Sequence, residues 1–187
     1  MRIIAGRWKG SPLNAPPGKQ TRPTGDRVKE ALFSMIGPYF TGGKCLDLFA
    51  GSGALGLEAL SRGMDFAVFV DIKSGTIIRS NVERLRAEQM AKIIPLHYEK
   101  AIKRLSGDDV FDLVFLDPPY ALGVLQMALS SLVEHQLLSD GATVVAEMDR
   151  STPIPVIASL ELVKSNEYGA TRICIYKKFQ VYAGRVD

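Results

Sequence analysis

Residues 44–63 read KCLDLFAGSGALGLEALSRG. The first six are apolar enough to form a buried strand, and ALGLEALSR has the pattern of a helix running to Gly63. Between them Gly51, Gly53 and Gly56 spell G-x-G-x-x-G. A strand that enters a glycine turn and leaves as a helix is half of a βαβ unit, so the flanking chain is read for the rest.

Downstream the alternation continues. FAVFVD (66–71) reads as a second strand, followed by a helix with Ile78, Val82, Leu85 and Gln89 on one face. KIIPLH (92–97) reads as a third strand and FDLVFLD (111–117) as a fourth, with a short helix through AIKRL between them. A helix carrying Leu125, Ala128, Leu129 and Leu132 then leads to ATVVAEM (142–148). Strands this apolar, alternating with helices, predict a parallel sheet covered on both faces. LELVKSN and TRICIYKKF, split by EYGA, have no helix between them and predict an antiparallel hairpin.

Upstream, RIIAGRWKGSPLN (2–14) reads as two short strands, and a Pro/Gly loop follows. A helix from about Asp26 carries Val28, Ala31, Leu32, Met35 and Ile36 and ends at Gly37-Pro38. The expectation is one α/β domain over residues 1–187 with a Rossmann-like, seven-stranded, mostly parallel sheet. Residues 1–40 form a basic extension with a small β-hairpin and helix, 41–179 the core and 180–187 a tail.

With 47% hydrophobic and 23% charged residues, the chain has the composition of a soluble globular protein. No apolar run approaches the ~20 residues needed to cross a bilayer. The N-terminus lacks the apolar core of a signal peptide, so a cytoplasmic location is expected, with no membrane partner. Cys45 and Cys174 read as two buried thiols, a disulfide being the other reading. Two histidines and no Cys-x-x-Cys predict no metal site.

The net charge of +3 is unevenly placed. Residues 1–30 hold Arg2, Arg7, Lys9, Lys19, Arg22, Arg27 and Lys29 against Asp26 and Glu30, a net of +5. That asymmetry fits an arm meeting a polyanion and equally a solvated surface segment.

Asp71 lies 20 residues after Gly51, at the end of the second strand. Glycine turn and acid together match a nucleoside-binding fingerprint, the acid accepting from ribose hydroxyls. Asp47 narrows the ligand. A carboxylate four residues before the first glycine repels a pyrophosphate by several kcal/mol, roughly, in a partly buried site. S-adenosylmethionine has no phosphate and carries a sulfonium and an ammonium, with one carboxylate suited to a helix N-terminus. The other reading of Asp47 is a structural acid capping backbone amides. A nicotinamide-dependent oxidoreductase or a non-catalytic nucleotide-binding module is the rival for the motif as a whole.

The fourth strand ends LDPPY (116–120). If it neighbours the first, Asp117 shares a crevice with the glycine turn. An amine on a nucleobase is a poor nucleophile because its lone pair is delocalised into the ring. Two acceptors on its hydrogens, Asp117 Oδ and the Pro118 carbonyl, draw it toward tetrahedral geometry and stabilise the developing charge. Pro118 and Pro119 fix the turn, and Tyr120 offers a stacking face. The plainer reading is a strand end stopped by prolines.

The pairing of DLFAGSG with DPPY resembles the amino-directed S-adenosylmethionine methyltransferases. RIIAGRWKG, TRPTGDRVKEALFSMI, LDLFAGSGALGLEALSRG, VFLDPPY and YGATRICIYKK, in that order, resemble the bacterial 16S ribosomal RNA guanine-N2 methyltransferases. The resemblance implies methyl transfer from S-adenosylmethionine to one guanine of the small-subunit RNA, with S-adenosylhomocysteine as product. It implies a cofactor site of Asp47, Phe49, Gly51, Gly53, Asp71 and Glu99, and a catalytic set of Asp117, Pro118, Pro119 and Tyr120. Arg22, Thr24 and Arg27 would lie over the site, with Arg2, Arg7 and Lys9 on phosphates. The HYE stretch after the third strand departs from the family pattern, and Glu99 is the first choice for the acid that reaches the adenine. A DNA adenine or protein-glutamine methyltransferase is the alternative, since DPPY does not name the base. The expected substrate is 16S RNA in the small subunit or an assembly intermediate, its base looped out. The enzyme is expected to be a monomer.

Overall fold

A computed structural model of the chain describes residues 1–15, 23–105, 109–118 and 123–179, with the backbone alone for Pro23 and Thr24. The tail expected at 180–187 lies outside them. The apolar runs form strands β1 (Lys44–Asp47), β2 (Phe66–Val70), β3 (Ala91–Ile94), β4 (Phe111–Leu116) and β5 (Leu138–Asp149), followed by β6 (Leu160–Tyr168) and β7 (Thr171–Lys178). They make one seven-stranded sheet in the order β3-β2-β1-β4-β5-β7-β6. The first five strands pair in parallel, while β7 is antiparallel to both β5 and β6, as the missing crossover helix predicts.

Among the described residues, five helices cover the sheet: α1 (Pro23–Ile36), α2 (Ala54–Ser61), α3 (Gly75–Arg84), α4 (Tyr98–Arg104) and α5 (Val124–Glu134). Side chains alternate across each strand and so build two cores. Cys45, Phe69, Leu113, Phe115 and Val145 pack with Ile3, Phe33, Leu57, Leu60 and Ile78 of the arm and α1–α3. Leu46, Val68, Val114 and Val144 pack instead with Ile102, Leu125, Leu129 and Leu132 of α4 and α5. Cys45 and Cys174 are free, buried thiols. Among the described residues, no helix is long and apolar enough to cross a membrane.

Three boundaries differ from expectation. α1 begins at Pro23, three residues early, because proline supplies a helix-ready φ and needs no N–H at a helix start. α3 stops at Arg84, so Gln89 leaves its face and stands exposed in the 3-10 turn Glu88–Met90. Arg86 adopts φ +53°, and the Arg86 and Ala87 N–H groups donate back to Glu83 and Val82 carbonyls, a Schellman stop without glycine. The two expected N-terminal strands reduce to one bridge, Arg2 to Pro12, although Ile3 N–H to Ser11 O and Leu13 N–H to Met1 O continue its pattern.

What seats the arm is Glu58. Its carboxylate is fully buried on α2 and accepts from Ile4 N–H at 2.8 Å and Ala5 N–H at 3.0 Å. Lys29 Nζ lies 3.0 Å and Arg62 Nε 2.7 Å from it, and both cations are nearly buried too. Lys29 also donates to the Arg2 carbonyl, and the Arg62 guanidinium lies over the Phe33 ring at 4.6 Å. Lys29 therefore spends its charge inside the protein. Removing one partner of a buried ion cluster strands the others. Glu58→Ala is expected to cost about 3–5 kcal/mol in urea denaturation; a loss under about 1 kcal/mol would show that the cluster does not anchor the arm.

Candidate active site at the carboxyl ends of β1 and β4

β1 lies between β2 and β4, and Asp47 pairs with Phe115. Leu48 N–H donates to Phe115 O at 3.0 Å, which carries the contact past the end of β1. The chain leaves β1 toward β2 and reaches β4 only later, so strand order reverses between β1 and β4. Crevices in open α/β sheets form at such a point. The glycine turn and Asp117 stand on its two sides.

The turn is held from several directions. Gly51 adopts φ +55° and its N–H donates to Asp71 Oδ2 at 2.9 Å. A Cβ on Gly51 would meet no atom within 4 Å, so the turn is open there. A Cβ on Gly56 would fall 2.4 Å from the Phe69 ring, so that glycine serves the packing of α2 on β2. Gly53, at φ +77°, is the N-cap of α2. Asn81 is fully buried on α3. Its Nδ2 donates to the Ser52 carbonyl at 2.8 Å, and its Oδ1 accepts the Asn14 N–H at 2.7 Å. The sequence reading missed Asn81; its one signal is an amide beside Ile78 and Val82 on an apolar face.

The two nearby acids already serve the backbone. Asp71 Oδ1 accepts from Lys73 N–H at 2.8 Å and Ser74 N–H at 2.7 Å, capping α3 in place of the Ser74 side chain. With Gly51 that makes three bonds, of about four that a carboxylate can accept. Asp47 is buried, and its Oδ2 accepts the Gly56 N–H at 3.0 Å. The amide-capping reading of Asp47 is thus realised. Burial pushes its pKa up to about 7; the Gly56 bond opposes this, and the charges of Asp117 and Asp71 add to it.

Phe49 packs partly buried with its ring 5.2 Å from Tyr98, joining the glycine turn to the start of α4. Glu99 sits in the first turn of α4, five residues past β3, with an exposed side chain that accepts from the Tyr98 hydroxyl at 3.3 Å. It lines a groove of about 530 Å³ between α4 and α5, with Gly123 and Met127. Asp117 is half-buried and Pro118 buried. Pro119, Tyr120 and Arg22 lie outside the described residues, as does the Thr24 side chain.

Within the described part of residues 1–30, the exposed basic residues lie on the arm and on α1. Arg2 is exposed and pairs with Asp26 at 3.1 Å, and Arg27 is exposed on α1. Arg7 and Lys9 are exposed near the far end of α2, where Arg7 N–H donates to Ser61 O at 2.9 Å. Arg7 lies over the Trp8 ring at 5.3 Å and reaches Met90 Sδ at 3.4 Å. Since α2 has eight residues, this turn stands roughly 12 Å from the glycine loop. Among the described residues, no cluster of His, Cys, Asp or Glu suits a metal ion.

Asp47 has a consequence in pH. A folded pKa of about 7 against an ordinary 3.8 means the native state keeps a proton that the unfolded chain has lost. Its contribution to stability therefore falls as pH rises from about 4 to about 7, by up to about 1.4 kcal/mol per pH unit. Asp47→Asn keeps an acceptor for Gly56 and does not titrate. Its denaturation free energy, measured over that window, is expected to lose this slope relative to the unmodified protein; parallel curves would contradict it.

The family described as "Conserved hypothetical protein 95" matches residues 1–177. YlbH of Bacillus subtilis, described as a candidate rRNA methyltransferase, is 44% identical over 185 residues, covering 95% of this chain and 99% of that one. "Ribosomal RNA small subunit methyltransferase D" of Haemophilus influenzae is 34% identical over 180 residues, covering 95% and 93%. The solved structure of the Escherichia coli protein yhhF, a candidate methyltransferase, superposes with a TM-score of 0.85 at 32% identity, covering 96% and 98%. The chain therefore belongs to the conserved hypothetical protein 95 family, the family of the small-subunit ribosomal RNA methyltransferases D.

Proposed function

We propose that this chain transfers a methyl group from S-adenosylmethionine to the exocyclic N2 of one guanine in 16S ribosomal RNA. The observation that carries this is the β1–β4 pairing, which places Asp117 and Pro118 across a crevice from the glycine turn. The names of the relatives, methyltransferases of small-subunit ribosomal RNA, support the substrate class.

The residues on the first side of the crevice fit the cofactor. The turn is open above Gly51, and the α2 N-terminus at Gly53 favours a carboxylate. Asp71 has an acceptor position left for a ribose hydroxyl, while Phe49 and Glu99 border the adenine side. Asp47, with its pKa raised to about 7, ionises more readily beside a cationic ligand than beside a pyrophosphate, which supports S-adenosylmethionine over a nicotinamide cofactor. Bound there, S-adenosylmethionine supplies an electrophilic methyl carbon on a sulfonium and leaves as the neutral thioether.

The other side prepares the nucleophile. Asp117 Oδ and the Pro118 carbonyl accept the two N2 hydrogens, localise the lone pair and stabilise the charge that develops on nitrogen. Asp117 takes the proton that N2 loses once the new N–C bond has formed. For Pro119 and Tyr120, outside the described residues, the DPPY resemblance implies a rigid turn and a face for the base to stack on. In this reading Arg2, Arg7 and Lys9 meet RNA phosphates, Arg7 and Lys9 at a distance from the reacting base, and Arg22, Thr24 and Arg27 belong to the motif that the resemblance sets over the site.

Labelled S-adenosylmethionine is expected to methylate unmodified small subunits at guanine N2 and to leave duplex DNA unlabelled; label in DNA or protein would refute the substrate. Asp117→Ala is expected to lower turnover by roughly 100-fold or more, with S-adenosylhomocysteine affinity retained. Binding of NAD but not S-adenosylhomocysteine would return the site to the oxidoreductase reading. Reversing Arg7 and Lys9 is expected to flatten the salt dependence of RNA binding by about 0.7–0.9 in log–log slope per lost phosphate contact.

A further inference from the structure

Two acceptors for the N2 hydrogens do not distinguish guanine from another amine-bearing base. Guanine presents one more hydrogen on the same edge, at N1. β5 runs parallel beside β4, with Leu116 opposite Ala146. One step past that pair stand Asp117 and Glu147. Leu113, Phe115 and Val145 belong to the core under α1–α3, whereas Val114, Leu116, Val144 and Ala146 belong to the opposite core. Alternation therefore puts Asp117 and Glu147 on one face. Ile173, the β7 partner of Glu147, lies in that same core. Asp47 and Asp71, two positions after Cys45 and Phe69, share the face as well.

Glu147 is half-buried on the face it shares with Asp117, while its chain neighbours Ala146 and Met148 pack into the opposite core.

We infer that Glu147 reads the target base, its carboxylate accepting guanine N1–H while Asp117 and the Pro118 carbonyl take the N2 hydrogens. The inference rests on the methyl-transfer reading above and deepens it. Three acceptors then meet guanine's N1 hydrogen and both hydrogens of its N2 amine. Adenine turns an N1 lone pair toward Glu147 and is repelled, so the pair selects guanine where DPPY by itself does not. A site built around a base N–H discriminates strongly against an analogue that lacks it, because its own polar group is left unpaired.

2-Aminopurine keeps the N2 amine and has no hydrogen on N1, which isolates the contact. Small subunits are reconstituted with 16S RNA carrying guanine or 2-aminopurine at the methylated position, and kcat/KM is measured for each. The unmodified enzyme is expected to favour guanine by roughly 100-fold. In Glu147→Gln the carboxamide can turn an N–H toward an unprotonated N1, so the ratio is expected to fall at least about ten-fold. Any difference in intrinsic reactivity between the bases cancels when the two enzymes are compared. Unchanged S-adenosylhomocysteine affinity shows that the variant is folded. A ratio unaltered by Glu147→Gln overturns the inference. So do equal rates on both bases with the unmodified enzyme, a result that needs no variant. Absence of label in either substrate with the unmodified enzyme would instead overturn the methyl-transfer reading, and this inference with it.

Discussion

The parallel pairing of β1 with β4 is the contact on which the crevice depends. It is short, running from Cys45 opposite Leu113 to Asp47 opposite Phe115, with one further bond from Leu48 N–H to Phe115 O. Because β2 flanks β1 on one side and β5 flanks β4 on the other, the carboxyl ends of β1 and β4 lie side by side. A slip of one residue in either strand would turn its acid to the opposite face, since side chains alternate with period two. The register therefore sets which face the acids occupy, and buried Leu46, Val114 and Phe115 specify the register.

The N-terminal arm obeys a different constraint. It has too little strand pairing to hold itself, and its seat consists of side-chain acceptors meeting its backbone amides. Glu58 takes Ile4 and Ala5, Ser61 Oγ takes Trp8 at 3.1 Å, and Asn81 takes Asn14. A buried carboxylate with two buried cations gains little net stability over apolar packing, but it accepts only a chain that supplies donors at the right places. That arrangement consumes charge. Lys29 is spent on Glu58 and Arg2 leans on Asp26, so the strong positive bias of the first 30 residues overstates what remains for a partner. Arg7, Lys9 and Arg27 are exposed.

Period and punctuation made most of the sheet legible. The apolar runs 44–49, 66–71 and 111–117 fall on β1, β2 and β4, and the missing crossover before TRICIYKK marked the antiparallel end. The failures share a cause, which is distance along the chain. Glu58 meets amides 53 and 54 residues away, and Asn81 meets Asn14 across 67. No local pattern announces such partners. Arg86 ended α3 without the glycine or proline that usually signals a stop. Asp47 was read two ways, and its bond to Gly56 shows the capping role that spacing could not choose. Glu147 stands in a strand that was located correctly; its neighbour became known only with strand order and register.

The distribution of charge separates what can enter the crevice from what can only lie beside it. Asp47, Asp71, Asp117 and Glu147 all occupy one face near the carboxyl ends of four strands; burial raises the pKa of Asp47, and the charges of Asp117 and Asp71 add to it. Acids so close together are tolerable only where donors meet them. Backbone amides do this for Asp71 and Asp47. A field of that sign repels phosphate at short range, whereas the exposed bases of the arm, roughly a helix length away, attract it. In the proposed reaction the RNA backbone meets the exposed basic residues on the flank, and only an uncharged part of the RNA enters the crevice. In that reaction a nucleobase turned out from its strand meets both demands at once, and guanine, with its N1 and N2 hydrogens close together, is the base that reading assigns.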